Sequence, residues 1–187
     1  MTDAVVSGAG LEIVRWARGV VGGGTSTLTV PHGPLPTRLH GAEATGSGLV
    51  GNGAIGADLI RLAAGTGFPP HTHVGHHVLV IVGGRGTITY GGRVHPTEAG
   101  QVFLVEGSVS HAVGAITDHV VLAIGAPHAP VESDARMSPV DYREVLSEIG
   151  DLTCLVCGSE SRSPDHLHDV GCPHCPCARC AAAESTR

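Results

Sequence analysis

The sequence predicts an all-β domain that closes into an antiparallel barrel or jelly roll, and three observations carry that prediction. Short Val/Ile/Leu runs recur through the middle of the chain, glycine-containing turns divide them, and no helical period comes between. Glycine is abundant (28 of 187 residues), while charged residues make up 15% against 42% hydrophobic ones, the balance of a chain with a buried core rather than a disordered one. A chain of this length buries about two thirds of its unfolded surface in one core. One domain with a small appendage is therefore expected.

The elements follow in order. Residues 1–56 are weakly patterned; LEIVRWARGVV and TSTLTV read as strands that pack on the barrel. The run Gly51–Gly56, GNGAIG, matches G-x-G-x-x-G. A loop precedes it, however, and twenty residues downstream stands a histidine cluster instead of an acidic residue, so it reads as a turn and not a dinucleotide site. From Asp58 the strands are clear: DLIRLAA, HHVLVIV, GTITY, QVFLV, SHAVGAI and DHVVLAI. Short connections such as GGRG and YGGR leave no room for helices and suggest a meander, so the barrel is placed at 57–130.

In HHVLVIV, Val78, Val80 and Val82 alternate with His77, Leu79 and Ile81, which makes both faces apolar. The outer face needs cover from the N-terminal segment or from a second subunit, and a homodimer is the expectation. After Pro130, VESDARM reads as a polar linker and SPVDYREVLSEIG as a short helix, together filling 131–150. Ser138 suits the N-cap, Pro139 the first helical position and Gly150 the C-terminal cap. Tyr142, Val145, Leu146 and Ile149 form one apolar stripe for docking on the barrel.

Charge narrows the partners. A net charge of −6 without any Lys/Arg cluster argues against nucleic acid and against an anionic membrane surface. No apolar run reaches the ~20 residues needed to span a bilayer. The N-terminus carries Asp3 and Glu12 and lacks a basic stretch ahead of an apolar block, so a cytoplasmic location is expected.

The chemistry concentrates in GTGFPPHTHVGHHVLVIVGG, Gly65–Gly84. On one strand His71, His73 and His77 share a face while His76 points the other way. With His111 arriving from a later strand, these imidazoles form a candidate site for a first-row metal inside the barrel. Glu106 lies close to His111 in sequence and is a candidate for orienting a ligand or acting as a base. Leu79, Ile81, Phe103 and Val113 are candidates for apolar lining.

Residues 65–84 resemble the first cupin motif, G-X5-H-X-H-X3-E-X6-G: Gly65, His71, His73 and Gly84 fall in register, and His77 stands where the family has Glu. Residues 100–111 resemble the second motif, G-X5-P-X-G-X2-H, through Gly100 and His111, with Glu106 and Ser108 at the Pro and Gly positions and Ala115 in place of the final Asn. The resemblance spans roughly 57–127 and implies a cupin-type jelly-roll barrel with a metal held by His71, His73, His77 and His111. Four neutral imidazoles leave the ion its full 2+ charge, which favours anionic, chelating substrates, and the donor set suits Fe, Mn, Ni, Cu or Zn.

All six cysteines lie between Cys154 and Cys180, within the segment 151–187. Cys154-x2-Cys157 and Cys172-x2-Cys175 have zinc-knuckle spacing and are the expected ligands of one structural zinc; Cys177 or Cys180 are alternatives for one of them. The tetrapeptide Cys172-Pro-His-Cys175 also resembles a thiol–disulfide oxidoreductase site, but no βαβ unit surrounds it. The tail is similar to a zinc ribbon or rubredoxin-like knuckle. Bacterial 3-hydroxyanthranilate dioxygenases likewise carry a four-cysteine knuckle behind a cupin barrel, though their barrel site holds the Glu that is missing here.

The resemblance implies a metal-dependent oxidoreductase of the dioxygenase kind acting on a small molecule. Non-redox isomerisation, cyclisation or lyase chemistry with Zn or Ni, and a non-catalytic sensor of metal or ligand, are the competing expectations.

Overall fold

The computed structural model describes residues 37–39, 41–91 and 93–140, together with the strand backbones of 4–7, 11–14, 18–22, 25–29, 152–154 and 160–161. Four N-terminal strands form two hairpin pairs: β1 (Ala4–Ser7) with β2 (Leu11–Val14), and β3 (Arg18–Gly22) with β4 (Thr25–Thr29). The barrel strands follow: β5 (Thr37–Arg38), β6 (Thr45–Gly51), β7 (Gly56–Leu62), β8 (Gly67–Thr72), β9 (His76–Gly83), β10 (Arg85–Tyr90), β11 (Arg93–Glu98), β12 (Val102–Val105), β13 (His111–Ala115) and β14 (His119–Ala126). A single 3-10 turn (Asp134–Arg136) precedes β15 (Ser138–Pro139), and β16 (Leu152–Cys154) and β17 (Glu160–Ser161) complete the set.

Two sheets carry these strands, in the orders β15-β8-β13-β10-β11-β16-β17 and β12-β9-β14-β7-β6-β5. The sequence order suggested a meander, but the chain crosses between sheets: β7 and β9 lie in the six-stranded sheet, β8 and β13 in the seven-stranded one. That alternation makes a jelly roll. Every barrel pairing is antiparallel, and only β16 joins in parallel, beside β11. β5 and β6 belong to the same sheet as β7, so that sheet begins upstream of residue 57.

The alternation of β14 shows why the strands sit as they do. His119, Val121, Ala123 and Gly125 are buried, while Val120, Leu122 and Ile124 are half-buried. The inner faces of both sheets supply one core, with Leu39, Ile60, Leu62, Leu79, Ile81, Ile88, Val113, Val121 and Val131 among its members. Each large aliphatic side chain so buried stabilises the fold by about 1.5–3 kcal/mol. The Gly51–Gly56 segment is the β6–β7 hairpin turn, in which the backbone N–H groups of Ala54 and Ile55 donate to Asn52 Oδ1.

On the outer face of the six-stranded sheet, Val78, Val80 and Val82 are half-buried, whereas Val102 and Leu104 on the edge strand β12 are 62% and 72% exposed. Two expectations about residues 131–150 change. The stretch read as a polar linker packs on the barrel, with Val131 and Arg136 buried. Ser138 and Pro139, read as a helix start, pair with Thr72 and His71 of β8 instead; Pro139 is tolerated because it lies on the sheet's edge strand. The rest of the expected helix, and Cys157, Cys172, Cys175, Cys177 and Cys180, lie outside the described residues, and Cys154 is described in backbone only. Among the described residues, no helix is long and apolar enough to cross a membrane.

Candidate metal centre

The histidines converge from both sheets, not from one strand. His71 lies near the end of β8 and stands directly across from His111 of β13 in the ladder. His73 follows in the turn before β9, and His77 lies on β9 itself. The shared parity predicted for a continuous strand is therefore replaced by a strand, a turn and a second strand in the facing sheet. Within β9 parity holds: His76 is exposed and His77 is half-buried toward the interior.

The structure brings His71, His73 and His111 together, with one ligand atom from each within 4.8 Å of the others. Ring centroids are 4.3 Å apart for His71–His111, 4.8 Å for His73–His111 and 5.7 Å for His71–His73. His77 stands beside this group, 4.2 Å from His73, but outside the set of mutually close ligand atoms.

Backbone carbonyls fix the rings. His71 Nδ1 lies 2.7 Å from Pro69 O, His73 Nδ1 2.6 Å from Gly75 O, and His111 Nδ1 2.7 Å from Val109 O. A carbonyl only accepts, so each Nδ1 carries the proton and each Nε2 keeps its lone pair. His73 Nε2 is buried without a hydrogen-bond partner, an arrangement that is costly for a polar atom unless a ligand completes it. Three oriented imidazoles with free Nε2 atoms fit a divalent transition metal, and the carbonyls play the orienting part that outer partners play in metal sites.

Burial is the leading reason these rings are neutral. It lowers the His71 pKa to about 3, helped by His111, His73 and Arg136, while Pro69 O opposes. His77 is likewise lowered to about 3, by burial and then by His73, Arg136 and the other histidines. His73 and His111 are lowered mainly by burial, against hydrogen bonds to Gly75 and Val109 that favour the charged form.

Two chambers adjoin the histidines. The inner one, of about 50 Å³, is walled by apolar side chains including Ile60, Leu62, Phe68, Leu79, Val113 and Met137, with His71, His73, His77, His111 and Arg136 as its polar members. The outer one, of about 150 Å³, shares His73, His77 and Arg136 and adds His128, Ala129 and Ala135. Of the expected lining, Leu79 and Val113 are in place, whereas Ile81 is sealed in the core and Phe103 packs against it. Glu106 is exposed in the turn after β12 and lines neither chamber.

Glycines make room for the rings. A Cβ at Gly107 would overlap the His73 ring and the Gly75 carbonyl, and one at Gly125 would stand 3.0 Å from the His77 ring. The sequence reading missed Arg136, because a lone Arg in a polar stretch carries no spacing signal. It also missed Asp58, whose side chain is fully buried beneath it.

Residues 58–125 match the family model described as Cupin domain. No curated protein matches the sequence. Among solved structures, the chain is similar to KdgF from Halomonas sp. at 16% identity and a TM-score of 0.49, covering 54% of this chain and 92% of that one. An RmlC-like cupin from Shewanella frigidimarina is 21% identical over 54% of this chain and 89% of its own, with a TM-score of 0.48. The polyketide cyclase RemF from Streptomyces resistomycificus is 19% identical over 58% and 84%, with a TM-score of 0.46.

Proposed function

We propose that this cupin is a metal-dependent oxidoreductase of the dioxygenase kind, acting on a small anionic organic molecule that chelates the ion. The observation that carries the reading is three neutral, carbonyl-oriented imidazoles opening into an apolar chamber. A bound Fe, Mn, Ni, Cu or Zn ion supplies a Lewis acid for the substrate's enolate, phenolate or carboxylate oxygen and, where redox-active, a route for electrons to O2. The chain's own residues do the rest. His71, His73 and His111 hold their lone pairs in place through Nδ1, and the aliphatic walls exclude bulk water from the reacting group. His77, at the position of the family Glu, is a fourth ligand in this reading.

One observation favours a second reading, non-redox isomerase, cyclase or lyase chemistry with Zn or Ni. Among the described residues no carboxylate lines the inner chamber, so an unligated His77 is positioned to take a proton from a substrate held at the other three. Burial keeps its pKa at about 3, so it is unprotonated at neutral pH and a weak base that accepts only from a substrate made acidic by the ion.

Elemental analysis of protein purified without added metal, followed by oxygen uptake with small chelating substrates, tests the assignment. Iron, manganese or copper in the barrel with substrate-dependent oxygen consumption is the expected result. Zinc or nickel with turnover but no oxygen consumption transfers the assignment to the second reading. Metal and ligand binding without turnover makes the protein a sensor.

Two further assignments belong to this proposal. Cys154, Cys157, Cys172 and Cys175 hold a structural zinc in a reducing, cytoplasmic setting, supported by their paired CxxC spacings. Two copies associate through the outer face around Val78, Val80, Val102 and Leu104, supported by the continuity of that apolar patch.

A further inference from the structure

We infer that Arg136 recognises a carboxylate on the substrate of the histidine site, with Asp58 and the Ala129 carbonyl holding its guanidinium in position. The inference rests on the metal-centre reading and narrows its substrate class to small carboxylates that ligate the ion through a second oxygen or through the carboxylate itself.

Arg136 ends the 3-10 turn after β14 and is 9% exposed. Its Nη2 donates to Asp58 Oδ2 and its Nη1 to Ala129 O, each at 2.6 Å. These bonds engage two of the five N–H groups of a guanidinium. The same side chain borders both chambers, beside His73 and His77.

Charge balance identifies the missing partner. With a divalent ion held by neutral histidines, the ion and Arg136 bring three positive charges, and buried Asp58 offsets one. Among the described residues no carboxylate lines either chamber. A concentrated positive charge in an apolar chamber favours an anion that touches both the ion and the guanidinium. The planar fork of Arg selects a planar, two-oxygen group, which a carboxylate supplies. The clamp from Asp58 and Ala129 makes that fork preorganised, so binding need not order a long side chain.

The test titrates cobalt(II)-loaded full-length protein with glycolate and with imidazole, reading the visible cobalt spectrum. The His111→Ala spectrum is subtracted to remove cobalt held elsewhere. Glycolate offers a carboxylate and a chelating hydroxyl; imidazole is a neutral ligand with no oxygen for the guanidinium. Arg136→Gln is expected to weaken glycolate roughly tenfold or more, as for loss of hydrogen bonds to a charged group, with imidazole affinity and cobalt stoichiometry unchanged. Arg136→Lys is expected to fall between, keeping the charge without the fork. Because Arg136→Gln leaves Asp58 buried and alone, the Asp58→Asn/Arg136→Gln double variant repeats the measurement without an unpaired charge. Unchanged glycolate affinity in either variant, or an equal loss for imidazole, overturns the inference while the metal centre stands. A wild-type protein that takes up no barrel cobalt, or whose spectrum neither ligand perturbs, overturns the metal-centre reading and this inference with it.

Discussion

Two polar clusters flank the same cavity, and each holds one of the two buried side-chain polar atoms without a hydrogen-bond partner among the described residues: His73 Nε2 and Asp58 Oδ1. In the histidine cluster, the orphan sits beside two other imidazoles whose Nδ1 atoms are also tied to carbonyls, so the unused atoms converge. In the second cluster, His128 Nε2 and Arg136 Nη2 both meet Asp58 Oδ2, at 3.0 and 2.6 Å, and Oδ1 is the orphan. One cluster leaves a nitrogen lone pair open for something to arrive; in the other, Asp58 Oδ2 takes up an N–H from each of its two neighbours. A buried polar group therefore marks a binding centre when the ligand atoms around it converge on one point, and a brace when its partners are charged groups that meet it directly.

Breaking the brace gives the largest expected effect. Asp58→Ala leaves Arg136 buried without its counter-ion and is expected to cost about 3–5 kcal/mol, read as a lowered denaturant midpoint. The Asp58→Asn/Arg136→Gln pair is expected to cost less, since no charge is stranded. Equal losses would mean that the ion pair is not what the site depends on.

Disturbing the open cluster through its neighbour ranks next. Gly107→Ala places a methyl group against the His73 ring and is expected to weaken barrel metal binding by about 10–100-fold, the range for losing a ligand's support. Titration with a metal-ion buffer measures it, and unaltered affinity would show that His73 is not a ligand.

Acid sharpens the contrast further. The unfolded chain takes up protons on histidine below about pH 6.5, while folded His71 and His77 resist until about 3 and His73, His111 and His119 are also lowered, chiefly by burial. The unfolded state thus binds more protons throughout this window. Metal-free protein is expected to keep full stability above pH 6.5 and lose it progressively toward pH 3. Denaturation midpoints across that range check the slope; a flat profile contradicts neutral buried rings.

The smallest effect on folding is on the outer face. Leu104→Ser removes an exposed side chain, is expected to change monomer stability by no more than about 0.5 kcal/mol, and should halve the mass seen by light scattering. A monomeric wild type would remove the dimer.

The same contrast explains what the sequence makes legible. Strands β7, β9, β10, β12, β13 and β14 are legible as short apolar runs between glycine-containing turns, and His71 and His73 stand out because a two-residue spacing beside apolar strands has few other uses. What stays hidden depends on crossings between sheets, which no local period encodes. His73 sits in a turn and His77 in the opposite sheet, although their spacing imitates one strand. The Asp58–Arg136 pair spans 78 residues and unites a strand with a stretch that reads as linker. The stretch packs on the barrel, yet its polar composition does not separate a packed segment from solvent-facing chain. Ser138 and Pro139 fit a helix start equally well in isolation; pairing with β8 decides otherwise.

The central claim is that His71, His73 and His111 grip one ion between the two sheets. Elemental analysis of wild type and His111→Ala, both purified without added metal, tests it most directly. The account predicts about one non-tail equivalent of a transition metal in the wild type and its loss from a folded His111→Ala protein. Equal metal content in the two would contradict it.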